Sequence, residues 1–307
     1  MPAILGEILR SNVSEQSEPN SQETKPRLAT TVAEIRSLVA EARRRGEQVG
    51  FVPTMGALHA GHVQLMKTAR EECAFVVASI FVNPTQFAPH EDFHKYPRPL
   101  ERDLAACRSA DVAAVFHPVV ETMYPPGAST FVEVPALAQT LEGTHRPTHF
   151  KGVATVVTQL FQIVQPDRAY FGQKDYQQQT LIRRMVRDLH IPIEIRVCPT
   201  VREPDGLAMS SRNVYLQGTD RQSALALSQA LKLAREQLHQ RNQDLPSIRQ
   251  AMHALLSGTP GVVVDYATLI DPDSLAELAA VQPRMVAIIA ARVGTTRLID
   301  NEVIEVK

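Results

Sequence analysis

Residues 51 to 66 read FVPTMGALHAGHVQLM, an apolar run followed by two histidines three positions apart. Val49 to Thr54 is short, partly β-branched and followed by Gly56, the pattern of a buried parallel strand ending in a turn. From Val63 onward the apolar positions Val63, Leu65, Met66, Ala69 and Cys73 suit a helix lying on a sheet. His59 and His62 therefore fall in the loop and the first helical turn. Free backbone N–H groups and the helix dipole make that an anion-binding position.

The same strand-to-helix step recurs along the chain. AFVVASIFV (74–82) reads as a second buried strand, PLERDLAACRSA (99–110) as a helix and VAAVF (112–116) as a further strand. GVATVVTQLFQIV (152–164) is helical by length, RAYFG (168–172) is a strand, and DYQQQTLIRRMVRDLH (175–190) is a strongly periodic amphipathic helix. IEIRVCP (193–199) closes the series. This alternation predicts an α/β fold with a doubly wound, Rossmann-like parallel sheet and ligands at the carboxyl ends of its strands. Beyond about residue 200 two helical stretches (219–240 and 245–257) precede VVVDYATLI, MVAIIAARV and TRLIDN, which predicts a smaller α+β domain with an antiparallel sheet.

The expected organisation is an extension over 1–26, a Rossmann-like ligand-binding domain over 27–200 and the α+β domain over 201–307. SNVSEQSEPNSQETKP (11–26) has Val13 as its one apolar side chain and reads as disordered. Folded structure is expected from near Leu28, with a helix through TVAEIRSLVAEARRRG (31–46) closed by Gly46.

With 44% hydrophobic and 21% charged residues in 307, the composition is that of an ordinary globular protein. A formal net charge of -1 without basic clustering argues against a nucleic-acid partner. No apolar stretch approaches a membrane span, and the N-terminus lacks the charged lead and apolar length of a signal peptide. Cys73, Cys107 and Cys198 are far apart, odd in number and without CxxC spacing; they read as reduced core residues, with a catalytic cysteine the alternative. A cytoplasmic protein is expected.

Four segments carry chemistry. The His59–His62 pair is either a helix cap or a phosphate site with proton donation; zinc is disfavoured, since metal-binding helices space histidines at i, i+4. In FVNPTQF (81–87), Asn83-Pro84 is a turn signal, and Gln86 just past a strand end offers donors and an acceptor to a small hydroxy acid. In FGQKDYQQ (171–178), Lys174 and Gln178 are i and i+4 and are expected to share a face at the helix start. Lys174 is either a solvated lysine or a phosphate contact beside Gly172, and Asp175 either a helix cap or a functional group. In VREPDGLAMSSRN (201–213), Ser210, Ser211 and Arg212 gather two hydroxyls and a guanidinium, a set for phosphate oxygens or a capped helix start in a linker. Together these describe an ATP-handling α/β enzyme whose acceptor the residues do not name.

At these residues the chain resembles the pantothenate synthetase (pantoate–β-alanine ligase) family of the nucleotidylyltransferase superfamily. The segments PTMGALHAGH, VNPTQF, HEDFHKYPR, RPTHFKGV, FGQKDYQQ, VREPDGLAMSSRN and GTTRLIDN carry the resemblance, in the family's order and spacing, from about Leu28 to Lys307. It implies a two-step reaction. The pantoate carboxylate attacks the α-phosphorus of MgATP to give pantoyl adenylate and pyrophosphate; the β-alanine amine then takes the acyl group, releasing pantothenate and AMP.

The resemblance further implies an ATP segment over Met55, Gly56, Ala57, Leu58, His59, Ala60, Gly61 and His62, with His62 as proton donor. It adds ATP contacts at Gly172, Gln173, Lys174, Asp175, Val201, Met209, Ser210, Ser211 and Arg212. His59, Lys174 and the Ser210–Arg212 group would surround the triphosphate. Gln86 would bind pantoate and β-alanine, Gln178 pantoate, with Arg146 and Tyr96 as further substrate contacts. Mg2+ would enter with ATP, Asp103 being the candidate ligand, and the family suggests a homodimer. Ala60, the HVQL that follows from His62, and Gln173 depart from the usual family residues without removing a catalytic side chain. A class I aminoacyl-tRNA synthetase shares the histidine pair, but a basic RNA-binding module is missing here. A nucleotidylyltransferase stopping after one step needs no second domain. A dead nucleotide-binding protein has no use for His62, Lys174 and Arg212.

Overall fold

The computed structural model describes residues 25–89, 91, 93–240 and 244–306; the expected disordered extension lies almost wholly outside them. The first part runs β1 (Arg27–Ala29), α1 (Val32–Arg44), β2 (Val49–Thr54), α2 (Ala60–Glu72), β3 (Phe75–Ile80), α3 (Leu100–Ser109) and β4 (Ala114–Phe116). Three short helices follow, α4 (Val120–Met123), α5 (Pro135–Ala138) and α6 (Glu142–His145). Then come α7 (His149–Val164), β5 (Arg168–Gly172), α8 (Tyr176–Asp188) and β6 (Glu194–Cys198).

The six strands form one parallel sheet in the order β1-β4-β3-β2-β5-β6. β2 and β3 are buried almost throughout, as central parallel strands covered by helices on both faces must be. The chain winds outward from β2 through β3 and β4, then returns to pair β5 on its other side. The crevice at the carboxyl ends of β2 and β5 is therefore the topological switch point where such sheets bind ligands.

One element goes beyond the sequence reading. Among the described residues the first element is the three-residue strand β1, parallel to β4 at the sheet edge and ahead of the expected helix. Three residues with Leu28 exposed are too few to show a period. α1 then begins where expected, on a capping box between Thr31 and Glu34, and Gly46 at φ +76 follows its last turn.

The C-terminal part holds α9 (Gly218–Ser223), α10 (Leu225–His239), α11 (Leu245–Ser257) and the strands β7 (Val262–Ile270), β8 (Arg284–Val293) and β9 (Thr296–Glu305). These strands form an antiparallel sheet in sequence order, with α10 and α11 supplying one core against it. Ile270, Leu275, Val286 and Ile288 instead join the apolar cluster of the parallel sheet. The antiparallel sheet thus reaches across residue 200 and packs beside the switch point. Among the described residues no helix is long and apolar enough to cross a membrane.

Candidate active site

The loop between β2 and α2 is shaped by its backbone. Gly56 has φ +83, and a Cβ there would meet Asp103 Oδ2 at 2.9 Å and Ile80 Cγ2 at 3.0 Å, so a side chain is excluded on two grounds. The Asp103 carboxylate, from α3, accepts the N–H groups of Ala57 at 2.9 Å and Leu58 at 2.8 Å. Asp103 is 1% exposed and lines neither cavity described below. Both of its oxygens are engaged in holding the loop, an employment that the expectation of a magnesium ligand did not include.

His59 is the N-cap of α2 and His62 its third residue. His59 Nδ1 accepts the Gly61 N–H at 3.1 Å, and His62 Nδ1 accepts the His59 N–H at 3.3 Å. Capping and function are therefore not alternatives here. An imidazole whose Nδ1 accepts carries its proton on Nε2, so both rings are held as neutral Nε2–H donors. Burial, then the Lys174 ammonium, push His59 down to about 4; burial, His59 and Lys174 push His62 to about 3. The rings are in contact, centroids 4.1 Å apart and planes tilted by 44°.

At the end of β3, Asn83 organises the second segment. Its Nδ2 donates to Gln86 Oε1 at 2.9 Å and to Gly152 O at 3.2 Å, and its Oδ1 accepts from Tyr124 at 2.8 Å. The Gln86 amide is thereby oriented with its nitrogen as the donating end. Gly152 lets α7 touch this turn through its backbone, because a Cβ would sit 2.3 Å from Thr85 O. Gln86 O accepts from Arg146 at 3.2 Å and from His149 Nδ1 at 2.9 Å. Burial and neighbouring Arg146 push His149 down to about 4, consistent with a neutral ring that donates through Nδ1 and accepts from Arg146 at Nε2. Arg146 itself forks onto Glu91 at 2.6 and 2.7 Å.

Two neighbouring cavities result. The smaller, of about 150 Å3, is bounded by Pro53, Thr54, Met55, His62, Gln86, Tyr96, Gly172 and Gln178, with an apolar wall from α7. The larger cleft, of about 970 Å3, is bounded by Arg146, Lys174, Ser210, Arg212 and, from β9, Arg297 and Asp300. Asp175 and Gln178 line both, so the two cavities are adjacent. Lys174 and Gln178 do not share a helix face as expected, because α8 starts at Tyr176 with Asp175 as its N-cap. Lys174 sits in the preceding turn, with Nζ 3.7 Å from Asp175. Asp175 makes no side-chain cap bond.

The last segment forms a small hairpin through the bridge of Arg202 to Ala208, with Met209 N–H donating to Val201 O at 2.9 Å. Ser210 Oγ then accepts the Arg212 N–H at 3.2 Å as the cap of a 3-10 turn. A Cβ on Gly61 would stand 4.0 Å from Met209, so this segment closes on the start of α2. Gly56 to Gly61, Gln173, Val201, Met209 and Ser211 line neither cavity. Asn83, Glu91 and His149 were missed as site residues. Asn83 carried only a turn signal, and His149 and Glu91 stood in quoted motifs without a pattern of their own.

A Rossmann-like parallel sheet with a paired-histidine helix start, a lysine turn and a serine–arginine hairpin at its switch point defines a nucleotide-using α/β enzyme. The family model for pantoate–β-alanine ligase matches residues 27–303. The pantothenate synthetase of Moorella thermoacetica is 52% identical over 279 residues, 91% of this chain and 99% of its own. That of Thermotoga neapolitana is 50% identical over 278 residues, 91% and 99% of the two chains. The crystal structure of pantothenate synthetase from Thermus thermophilus superposes with a TM-score of 0.86 at 49% identity, covering 90% of this chain and 98% of that one. The chain belongs to the pantoate–β-alanine ligase family. A ligase of this family from Francisella tularensis, solved in complex with β-γ ATP and β-alanine, has a TM-score of 0.74 at 36% identity over 90% and 97% of the two chains.

Proposed function

We propose that the two cavities are the acid and nucleotide subsites of one adenylating centre, and that the chain joins pantoate to β-alanine through pantoyl adenylate. The observation that carries this reading is that a small pocket holding Gln86, Gln178 and His62 lies next to a cleft holding Lys174, Ser210 and Arg212, with Asp175 and Gln178 lining both. The small pocket, apolar on one side and amide-lined on the other, suits a branched hydroxy acid. The cleft, with its cations and hydroxyls, suits a triphosphate. The pantoate carboxylate then lies between them, where it can reach the α-phosphorus.

Transfer of the adenylyl group needs positioning and charge neutralisation rather than a protein nucleophile. Lys174 and the Nε2–H of His62 supply these to the phosphate oxygens. Arrival of the polyphosphate counteracts the bias toward the neutral ring set by burial and Lys174, so that both imidazoles become better hydrogen-bond donors to the phosphate oxygens. β-Alanine next attacks the acyl carbon and AMP departs. Mg2+ would enter with ATP, whose phosphate oxygens would be its ligands and whose charge it would neutralise; among the described residues no group of three or more His, Cys, Asp and Glu is placed to hold a metal. A cytoplasmic homodimer fits this reading, by analogy with the family.

Labelled pyrophosphate should exchange into ATP when pantoate is present and β-alanine absent. Exchange that strictly requires β-alanine, or release of ADP, would defeat the adenylate route. Gln86→Ala should weaken pantoate binding by more than about tenfold, since a hydrogen bond to a charged group is worth about 1.5–3 kcal/mol. The backbone carbonyl that holds Arg146 and His149 survives this substitution. ATP half-saturation should therefore stay nearly constant. Equal losses for both substrates would make the glutamine structural.

A further inference from the structure

Asp300 and Asn301 lie side by side on β9, 2% and 1% exposed. Each reaches a different loop of the cleft. The Asn301 Nδ2 group donates to the carbonyl oxygens of Gln173 at 3.0 Å and Lys174 at 2.7 Å, gripping two successive peptide units of the lysine turn. The Gln173 N–H is tied in turn to Cys198 O of β6 at 2.8 Å. Asp300 accepts both arms of Arg202 at 2.7 and 3.0 Å, and the Asn301 backbone N–H at 2.8 Å. Arg202 also donates to Gly206 O at 3.0 Å, which holds the hairpin that runs into Ser210 and Arg212.

We propose that Asp300 and Asn301 are a positioning pair that fixes the Lys174 turn and the 201–212 segment relative to each other, so that the two phosphate-facing loops meet in one geometry. This rests on reading both segments as triphosphate contacts. A lysine stem is long and flexible, so a fixed backbone narrows the set of positions its ammonium can take. Transition-state stabilisation is lost when a donor is misplaced by about 1 Å. The chemistry of Asn301 points the same way. Its Oδ1 is buried with no partner among the described residues. An orphan acceptor costs stability that an apolar side chain of equal volume avoids. What the asparagine contributes here is its donating end.

Asn301→Leu keeps the volume and removes both donors. In the full chain, backbone hydrogen exchange across residues 172–178 should rise about tenfold or more, with residues 262–270 unchanged. Pantoate-dependent pyrophosphate exchange should slow about ten- to a hundredfold, with pantoate half-saturation within about twofold of wild type. In a Lys174→Ala background the same substitution should add less than about twofold, because Asn301 acts through Lys174. Unaltered exchange across 172–178, or losses that multiply with those of Lys174→Ala, overturns the proposal. A Lys174→Ala enzyme of undiminished rate overturns the triphosphate reading instead, and hydrogen exchange then decides on Asn301. Should Asn301→Leu not fold, Arg202→Lys keeps the charge and loses the fork. Faster exchange across 201–209 with an about three- to tenfold slower reaction supports the pair, and wild-type values overturn it.

Discussion

Lys174→Ala is expected to slow adenylate formation by about two to three orders of magnitude, the usual effect of removing one positioned donor from a developing oxyanion. ATP half-saturation should change much less. At neutral pH both imidazoles of the free enzyme are uncharged, because burial and the lysine push His59 to about 4, and burial, His59 and the lysine push His62 to about 3. The formal positive charge next to the histidine pair therefore comes from Lys174. The α-phosphoryl group gains charge on its oxygens only in the transition state, so a cation placed there acts on kcat more than on KM. His62→Ala should share the rate loss. It should also cost about 1 kcal/mol of stability, because it opens the capping box of α2. Single-turnover adenylate formation measured beside steady-state ATP dependence separates the cases. A raised KM with kcat unchanged would reduce Lys174 to a ground-state contact.

The second large effect concerns stability. Arg297 of β9 forks onto Glu142 at 2.6 and 2.8 Å and reaches Asp265 at 2.6 Å, while Tyr266 donates to Glu142 at 2.8 Å. Both carboxylates are nearly buried. Arg297→Met leaves them without their cation. Breaking such a pair from one side costs about 3–5 kcal/mol. Burial pushes the Glu142 carboxyl up, but the hydrogen bonds and charge of Arg297 push it further down, so it is held below the ordinary value.

A carboxyl depressed in the folded state contributes stability above its unfolded pKa, lost as pH falls through the folded one. In Arg297→Met the largest downward influence is gone; burial then outweighs the remaining Tyr266 bond and Arg146 charge, and the folded carboxyl is expected to bind its proton more tightly than in the wild type. The penalty should therefore shrink as pH falls from about 7 to about 5, where the wild type still holds Glu142 ionised. Urea denaturation of both proteins across that range checks the sign. A penalty that grows on acidification would mean that Glu142 is not the group left unpaired.

The strand–turn–helix junctions of the first part were legible in the sequence because their signals are local. Val49 to Thr54 is apolar and short, Gly56 needs a left-handed backbone, and the apolar period changes at Val63. Three such junctions in one chain imply a parallel sheet with its ligands at one end, and β2, β3 and β5 with their helices form it. The edge strand β1 was illegible for the converse reason: three residues carry no period, and its pairing partner Phe116 lies far along the chain. Side-chain employment was equally out of reach. Asp103 stood as a carboxylate near a phosphate segment, yet its oxygens go to two backbone N–H groups 46 and 45 residues away. Asn301 reads as one residue of a terminal strand, and its grip on the lysine turn spans 127 residues. Periodicity and turn chemistry act over a few residues, so the sequence specifies which elements form. Hydrogen bonds between distant segments exist only once those elements have packed, and these set where the Lys174 turn and the Ser210–Arg212 hairpin stand beside the histidine pair.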